Sequence, residues 1–147
     1  MATLDFSRTI SAPPEVVFEV ATDHRAMPSF TRFRGVELER EGDPAPNGLG
    51  AIRILRLVGP AVREEVVAYE PPRRFSYRML SGAPVRDHVG TIELTPVANG
   101  TRMSYLLETT PAVPVGGFAV IALMRSIVEN IAAGIAAESE KRAAAGG

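Results

Sequence analysis

The chain has 147 residues, a formal net charge of -1, 46% hydrophobic residues and 22% charged ones. This is the size of one ordinary domain, able to bury roughly two-thirds of its unfolded surface, and the composition excludes a disordered chain. The 16 basic residues are scattered, so no basic patch is legible and nucleic acid is not expected; the lack of cysteine excludes disulfides, thiolate chemistry and cysteine-type zinc clusters.

Residues 3–10 place Leu4, Phe6, Arg8 and Ile10 against Thr3, Asp5, Ser7 and Thr9, the alternation of a half-buried strand. Asp5 and Arg8 interrupt the apolar core that a signal peptide needs. Pro13 and Pro14 suit the first turn of a helix, and Glu15 favours the same end electrostatically. Val17, Val20 and Ala21 then form one stripe with Phe18 beside it, and a second short helical piece is expected around residues 27–32.

From Val36 the period changes to two. Strand-like runs cover residues 36–41, 51–58, 62–70, 74–80, 88–96 and 102–109, separated by GDPAPNGLG, GPA, PPR, SGAP and NG. Asn99-Gly100 is read as a two-residue hairpin turn, and links this short make consecutive strands antiparallel. Pro71 and Pro72 cannot donate to a ladder, so residues 71–73 are either a hairpin corner with Arg73 and Arg74 solvated or a rigid loop presenting an anion site. Tyr69 before the prolines and Phe75 after them favour the corner.

After Pro114 the spacing of Phe118, Ile121, Met124, Val128, Ile131 and Ile135 is helical. The expected helix covers about 116–142, with a frayed tail over 143–147. The longest uncharged run, residues 109–124, is too short and too rich in proline and glycine to span a bilayer. No repeat or linker divides the chain. A single domain over 1–147, without an integral membrane segment and located in the cytoplasm, is the expectation.

The order strand, helix pair, six-stranded meander and long helix, with TISAPPEVVFEVATD at 9–23, GLGAIR at 48–53, YEPPRRFSYR at 69–78 and NGTRMSY at 99–105, resembles the START-like (SRPBCC) superfamily. That superfamily includes polyketide cyclase/dehydrase-type proteins, birch-allergen-like proteins and plant hormone receptors, and the resemblance spans nearly the whole chain. It implies an α+β helix-grip fold. A seven-stranded antiparallel curved sheet would wrap a long C-terminal helix, with two short helices after the first strand. It also implies a cavity between sheet and helix that binds apolar or amphipathic small molecules, lipid- or polyketide-like. A curved sheet does not close flush on a straight helix. The chain has no tryptophan and only 6% aromatic residues. Ala132, Ala133, Gly134, Ala136 and Ala137 leave a void easy to keep open, though they equally permit close packing.

Alternation puts His88, Gly90, Ile92 and Leu94 on one face, with Met103, Tyr105 and Leu107 as the matching face across the hairpin. His88 and Tyr105 are then aimed at the cavity. His88 is a ligand contact and the weak candidate for proton transfer; otherwise it is a buried neutral imidazole or a strand-end histidine. Arg53 shares a face with Leu55 and Leu57, and if that face is internal it needs a carboxylate partner or a place at the cavity mouth. Glu64 and Glu65 point to opposite faces, so they form no dyad. Resemblance to plant receptors favours Glu64 inward with Val66 and Ala68, while alternation allows Glu65, Val67 and Tyr69 equally. Arg53 and Glu64 are a cavity pair or two solvated charges. Tyr77 offers its hydroxyl to a ligand or is a core tyrosine with its tip at the surface. Asn130 flanks the helix stripe, viewing the cavity or solvent. The candidate ligand-binding set is Arg53, Leu55, Glu64, Tyr77, His88, Met103, Tyr105 and Asn130.

His24 and His88 lack HExxH spacing and no GxSxG is present, so a zinc or serine hydrolase is not expected, nor any metal or cofactor. Residues 42–50 lack the lysine of a P-loop and read as a flexible loop gating a cavity. The first functional expectation is binding of a hydrophobic or aromatic small molecule. The alternative is an aromatase/cyclase or dehydratase using His88 as acid or base, with Arg53 or Tyr105 stabilising an enolate. A further alternative is an interaction module whose apolar stretch at 111–124 meets a protein or membrane. Oligomeric state carries no sequence signal.

Overall fold

A computed structural model describes residues 1–146. Strands β1 (Ala2–Asp5) and β2 (Arg8–Ile10) are followed by α1 (Pro14–Thr22), a 3-10 turn (His24–Ala26) and α2 (Met27–Phe30). The meander is β3 (Gly35–Arg40), β4 (Ile52–Arg56), β5 (Val62–Glu70), β6 (Arg74–Ser81), β7 (Val85–Val97) and β8 (Gly100–Pro111), and α3 (Gly117–Gly146) closes the chain. The antiparallel sheet runs β1-β8-β7-β6-β5-β4-β3, with β2 also on β8.

The single strand expected over 3–10 is therefore two segments that share one edge position, giving seven positions across the sheet. The Asp5 carboxylate accepts the Ser7 backbone N–H at 2.9 Å, a local turn that competes with the ladder. Phe6 keeps its place by donating its N–H to the Tyr105 carbonyl at 2.8 Å. The β7–β8 turn is Ala98-Asn99, since Val97 pairs with Gly100, one residue earlier than the Asn-Gly signal placed it. Gly100 serves close approach instead, because a Cβ there would fall 2.0 Å from the Ile10 carbonyl oxygen. Pro71 and Pro72 occupy the β5–β6 corner, and Arg73 and Arg74 are exposed.

On α3, Met124, Val128, Ile131 and Ile135 are buried against the sheet, as their spacing requires. Phe118 is not part of that stripe: it is 84% exposed, whereas Ile121 packs partly buried against the core. At the other end the helix continues to Gly146 without fraying at 143, and Gly147 lies outside the described residues. By length and composition α3 would reach across a bilayer, which the uncharged run alone did not indicate. Its buried stripe makes it the core helix of this sheet. Gly134 lets α3 touch α2, since a Cβ there would lie 2.0 Å from the Phe30 carbonyl oxygen.

Candidate ligand-binding site

The site begins with strand pairing. Arg53 on β4 lies directly opposite Glu64 on β5, so both side chains leave the concave face together. They are 4% and 7% exposed, and Arg53 Nη2 donates to Glu64 Oε1 at 2.8 Å. The guanidinium carbon also sits 5.3 Å from the Phe75 ring centre and 5.2 Å from that of Tyr77. Two aromatic faces and one carboxylate thus replace the water that the charge gave up. Among the described residues Arg53 Nε is buried without a partner.

Tyr77 on β6 faces Gly90 on β7, and a Cβ at Gly90 would come within 2.3 Å of the Tyr77 ring. Only glycine lets the ring lie across its neighbour strand. The Tyr77 and Tyr105 hydroxyls then meet at 2.6 Å. Burial pushes both phenols up and keeps them neutral. Burial also pushes the Glu64 carboxyl up, opposed by the Arg53 charge. His88 is buried, its Nδ1 3.0 Å from Thr109 Oγ1, and burial pushes its imidazole down to about 4. It is neutral at neutral pH.

Two spaces flank this cluster. The inner one, lined by Arg53, Leu55, Tyr105, Ile131 and Ile135 among others, has a volume of about 10 Å³, room for a single water. The outer one, a vestibule of about 220 Å³, opens between the turn after β4 (Leu57, Val58, Pro60), the turn after β6 (Gly82–Pro84) and α3. Glu64, Tyr77 and Ile131 line both spaces and form the partition between them, while His88, Met79 and Met124 line only the vestibule.

The residues 1–140 match the family model for polyketide cyclase / dehydrase and lipid transport. The chain belongs to that family. Among solved structures, a START superfamily protein from Mycobacterium smegmatis superposes with a TM-score of 0.80 at 14% identity over 95% of this chain and 97% of its own. The Zhui aromatase/cyclase from Streptomyces sp. R1128 gives 0.78 at 20% identity over 99% and 98%. Ara h 8.0201 gives 0.76 at 14% over 94% and 97%. At these identities they show the helix-grip fold. No curated protein sequence matches the chain. Family and fold are consistent with hydrophobic ligand binding or polyketide cyclase chemistry.

In this family member the eight candidate residues divide. Glu64, Tyr77 and His88 face the vestibule, and Arg53, Leu55 and Tyr105 lie behind them around the inner space. The hollow expected in front of Tyr105 is filled, because the Tyr77 hydroxyl caps it. Met103 is fully buried and lines neither space. Asn130 faces away: its Oδ1 accepts the Arg32 backbone N–H at 2.9 Å, pinning the α2–β3 connection at an adjoining surface cleft. The loop 42–50 does not bound the vestibule either. It is held by a backbone pairing of Asp43 with Leu49 and by the Asn47 side-chain oxygen accepting from His24 Nδ1. The turns that do bound the vestibule were read only as separators, although Val58, Pro60, Ala83 and Pro84 make them apolar, unlike the turn at 71–73.

Proposed function

We propose that the protein binds a neutral, one- or two-ring hydrophobic molecule carrying a hydroxyl, held in the vestibule. The vestibule itself supports this reading: about 220 Å³ of mostly apolar space over Glu64, Tyr77 and His88. A dry cavity of about 150 Å³ accepts benzene, and drug-sized ligands occupy roughly 300–1,000 Å³. The space therefore suits a ligand slightly larger than one ring, not a diacyl lipid or a four-ring polyketide. Charge points to a neutral ligand. Arg53 and Glu64 already compensate each other and His88 is uncharged, so an ionic head would be desolvated without a counter-ion. Glu64, with one oxygen held by Arg53, accepts the ligand hydroxyl, and the His88 edge supplies the second polar contact. Apolar burial supplies most of the affinity.

Titration calorimetry with 2-naphthol, 2-naphthoate and palmitate tests this. Naphthol is expected to bind in the micromolar range and naphthoate at least tenfold more weakly. Palmitate gives no heat, and Leu57→Trp, which fills the vestibule, abolishes naphthol binding. Tighter binding of naphthoate or palmitate than of naphthol overturns the reading.

A second reading is an aromatase/cyclase- or dehydratase-type enzyme acting in the same space. It is favoured by the shared placement of His88 and Glu64 on the vestibule wall, and it predicts that His88→Ala removes turnover of a polyketide-like substrate while binding persists.

A further inference from the structure

The end of the molecule around the vestibule mouth carries an apolar surface that the ligand site does not use. Val115 and Val58 are each 87% exposed, Phe118 84% and Leu123 53%. An exposed phenylalanine beside three exposed aliphatic residues is not the ordinary scatter of a soluble surface. The residues come from three segments that the structure ties together. The Ala112 N–H donates to the Pro84 carbonyl at 2.8 Å, joining the lead-in to α3 to the turn after β6. Gly82 in that turn lies so close to the turn after β4 that a Cβ would fall 2.3 Å from the Ala61 carbonyl oxygen. Leu123 and Val58 line the vestibule, so the apolar surface is continuous with its opening.

Charge is segregated around this surface. No charged residue occurs between Glu108 and Arg125. Arg32, Arg34, Arg86 and Arg125 are exposed around it, and among the described residues none of the four takes part in an ion pair. The carboxylates beside them are Asp87 next to Arg86, Glu129 one turn along α3 from Arg125, and Glu37, which is paired with Arg56, so the arginines are in excess. In a chain of net charge -1, this end is cationic and apolar together.

We infer that this end docks on an anionic lipid bilayer, with Val58, Val115, Phe118 and Leu123 inserted at the headgroup boundary and the four arginines against the anionic headgroups. A bilayer matches this surface because the apolar atoms stand on the tips of separate turns and one helix end with unpaired arginines around them, and the cleft between Val58 and Leu123 lies under the same footprint. Docking in this pose covers the mouth with hydrocarbon and gives an apolar molecule a dry path between membrane and vestibule. The attachment itself is independent of the ligand reading, since vesicles are bound or not whatever the cavity holds.

Co-sedimentation with phosphatidylcholine vesicles, with and without phosphatidylglycerol, tests it on the full chain. The wild type is expected to sediment with the anionic vesicles and to be released by high salt. Val115→Ser/Phe118→Ser lowers partitioning at least tenfold, and Arg34→Ala/Arg125→Ala lowers it by about fivefold per charge on anionic vesicles only. These side chains are exposed, so unchanged thermal melting controls for folding, and the arginine pair stands in if the apolar pair misfolds. Absence of sedimentation, or sedimentation that neither pair reduces, overturns the inference. A wild type that dimerises on sizing, becomes monomeric with Phe118→Ser and ignores vesicles would make the face an interface between copies and overturn it too.

Discussion

Arg53 is accommodated inside the sheet because Glu64 faces it across one strand pair and two rings cover its faces. Such a pair is not itself a large source of stability, but half of one is a liability. Glu64→Leu is expected to cost about 3–5 kcal/mol, whereas Arg53→Met/Glu64→Leu lies near neutral, as urea denaturation would measure. The same logic holds for the tyrosines. Tyr77→Phe or Tyr105→Phe strands a buried hydroxyl and costs about 1–2 kcal/mol, while the double change costs less than the sum. His88 sets a pH dependence. Unfolded, it titrates near 6.5, and in the fold near 4, so the unfolded chain takes up the proton first on acidification. Its contribution is full above about pH 6.5 and declines as pH falls toward 4, by about 2 kcal/mol at pH 5. Glu64, raised from 4.5, acts in the opposite sense, its contribution full below that value and lost as pH rises through the folded one. The drop in urea midpoint between neutral pH and pH 5 should therefore shrink in His88→Gln. These inward positions were legible for His88 and Tyr105, where one face of the alternation was clearly more apolar. They were ambiguous at Glu64 and Glu65, where both faces were equally apolar and only the register with Arg53 decided.

At the scale of elements, period was informative and contact was not. The meander, the helix spacing and the proline corner followed from turn chemistry and alternation. The break at Phe6-Ser7 depended on the Asp5 carboxylate accepting the Ser7 backbone N–H. Asn130 was left open between cavity and solvent because helical phase near the edge of a stripe does not say which neighbour arrives there; Arg32 does. Phe118 fitted the stripe by spacing, yet it is exposed, since spacing gives a helix face and not the neighbour that covers it. Gly134 offers a test of close approach. Alanine is the better helix former by about 1 kcal/mol, yet its Cβ would meet the Phe30 backbone at 2.0 Å. Gly134→Ala is expected to lower stability by about 1–3 kcal/mol through displacement of α2. A rise in melting temperature would show that α2 yields freely.

At the scale of the whole molecule, the curvature of the sheet leaves space against α3, but side chains divide it unevenly. The aromatic and ionic cluster fills the inner part, and the open volume lies at the mouth. Volume was not legible in the sequence, since the small residues on α3 permit close packing as readily as a void, and close packing is what Gly134 provides against Phe30. The methionines report directly on where a ligand sits. Met79 and Met124 line the vestibule, Met27 the inner space, and Met103 neither. Titration of methyl-labelled methionine protein with 2-naphthol, followed by NMR, should move the Met79 and Met124 signals together and leave Met1 and Met103 in place. Shifts centred on Met27 or Met103, or none at saturating ligand, would contradict a binding site at the mouth.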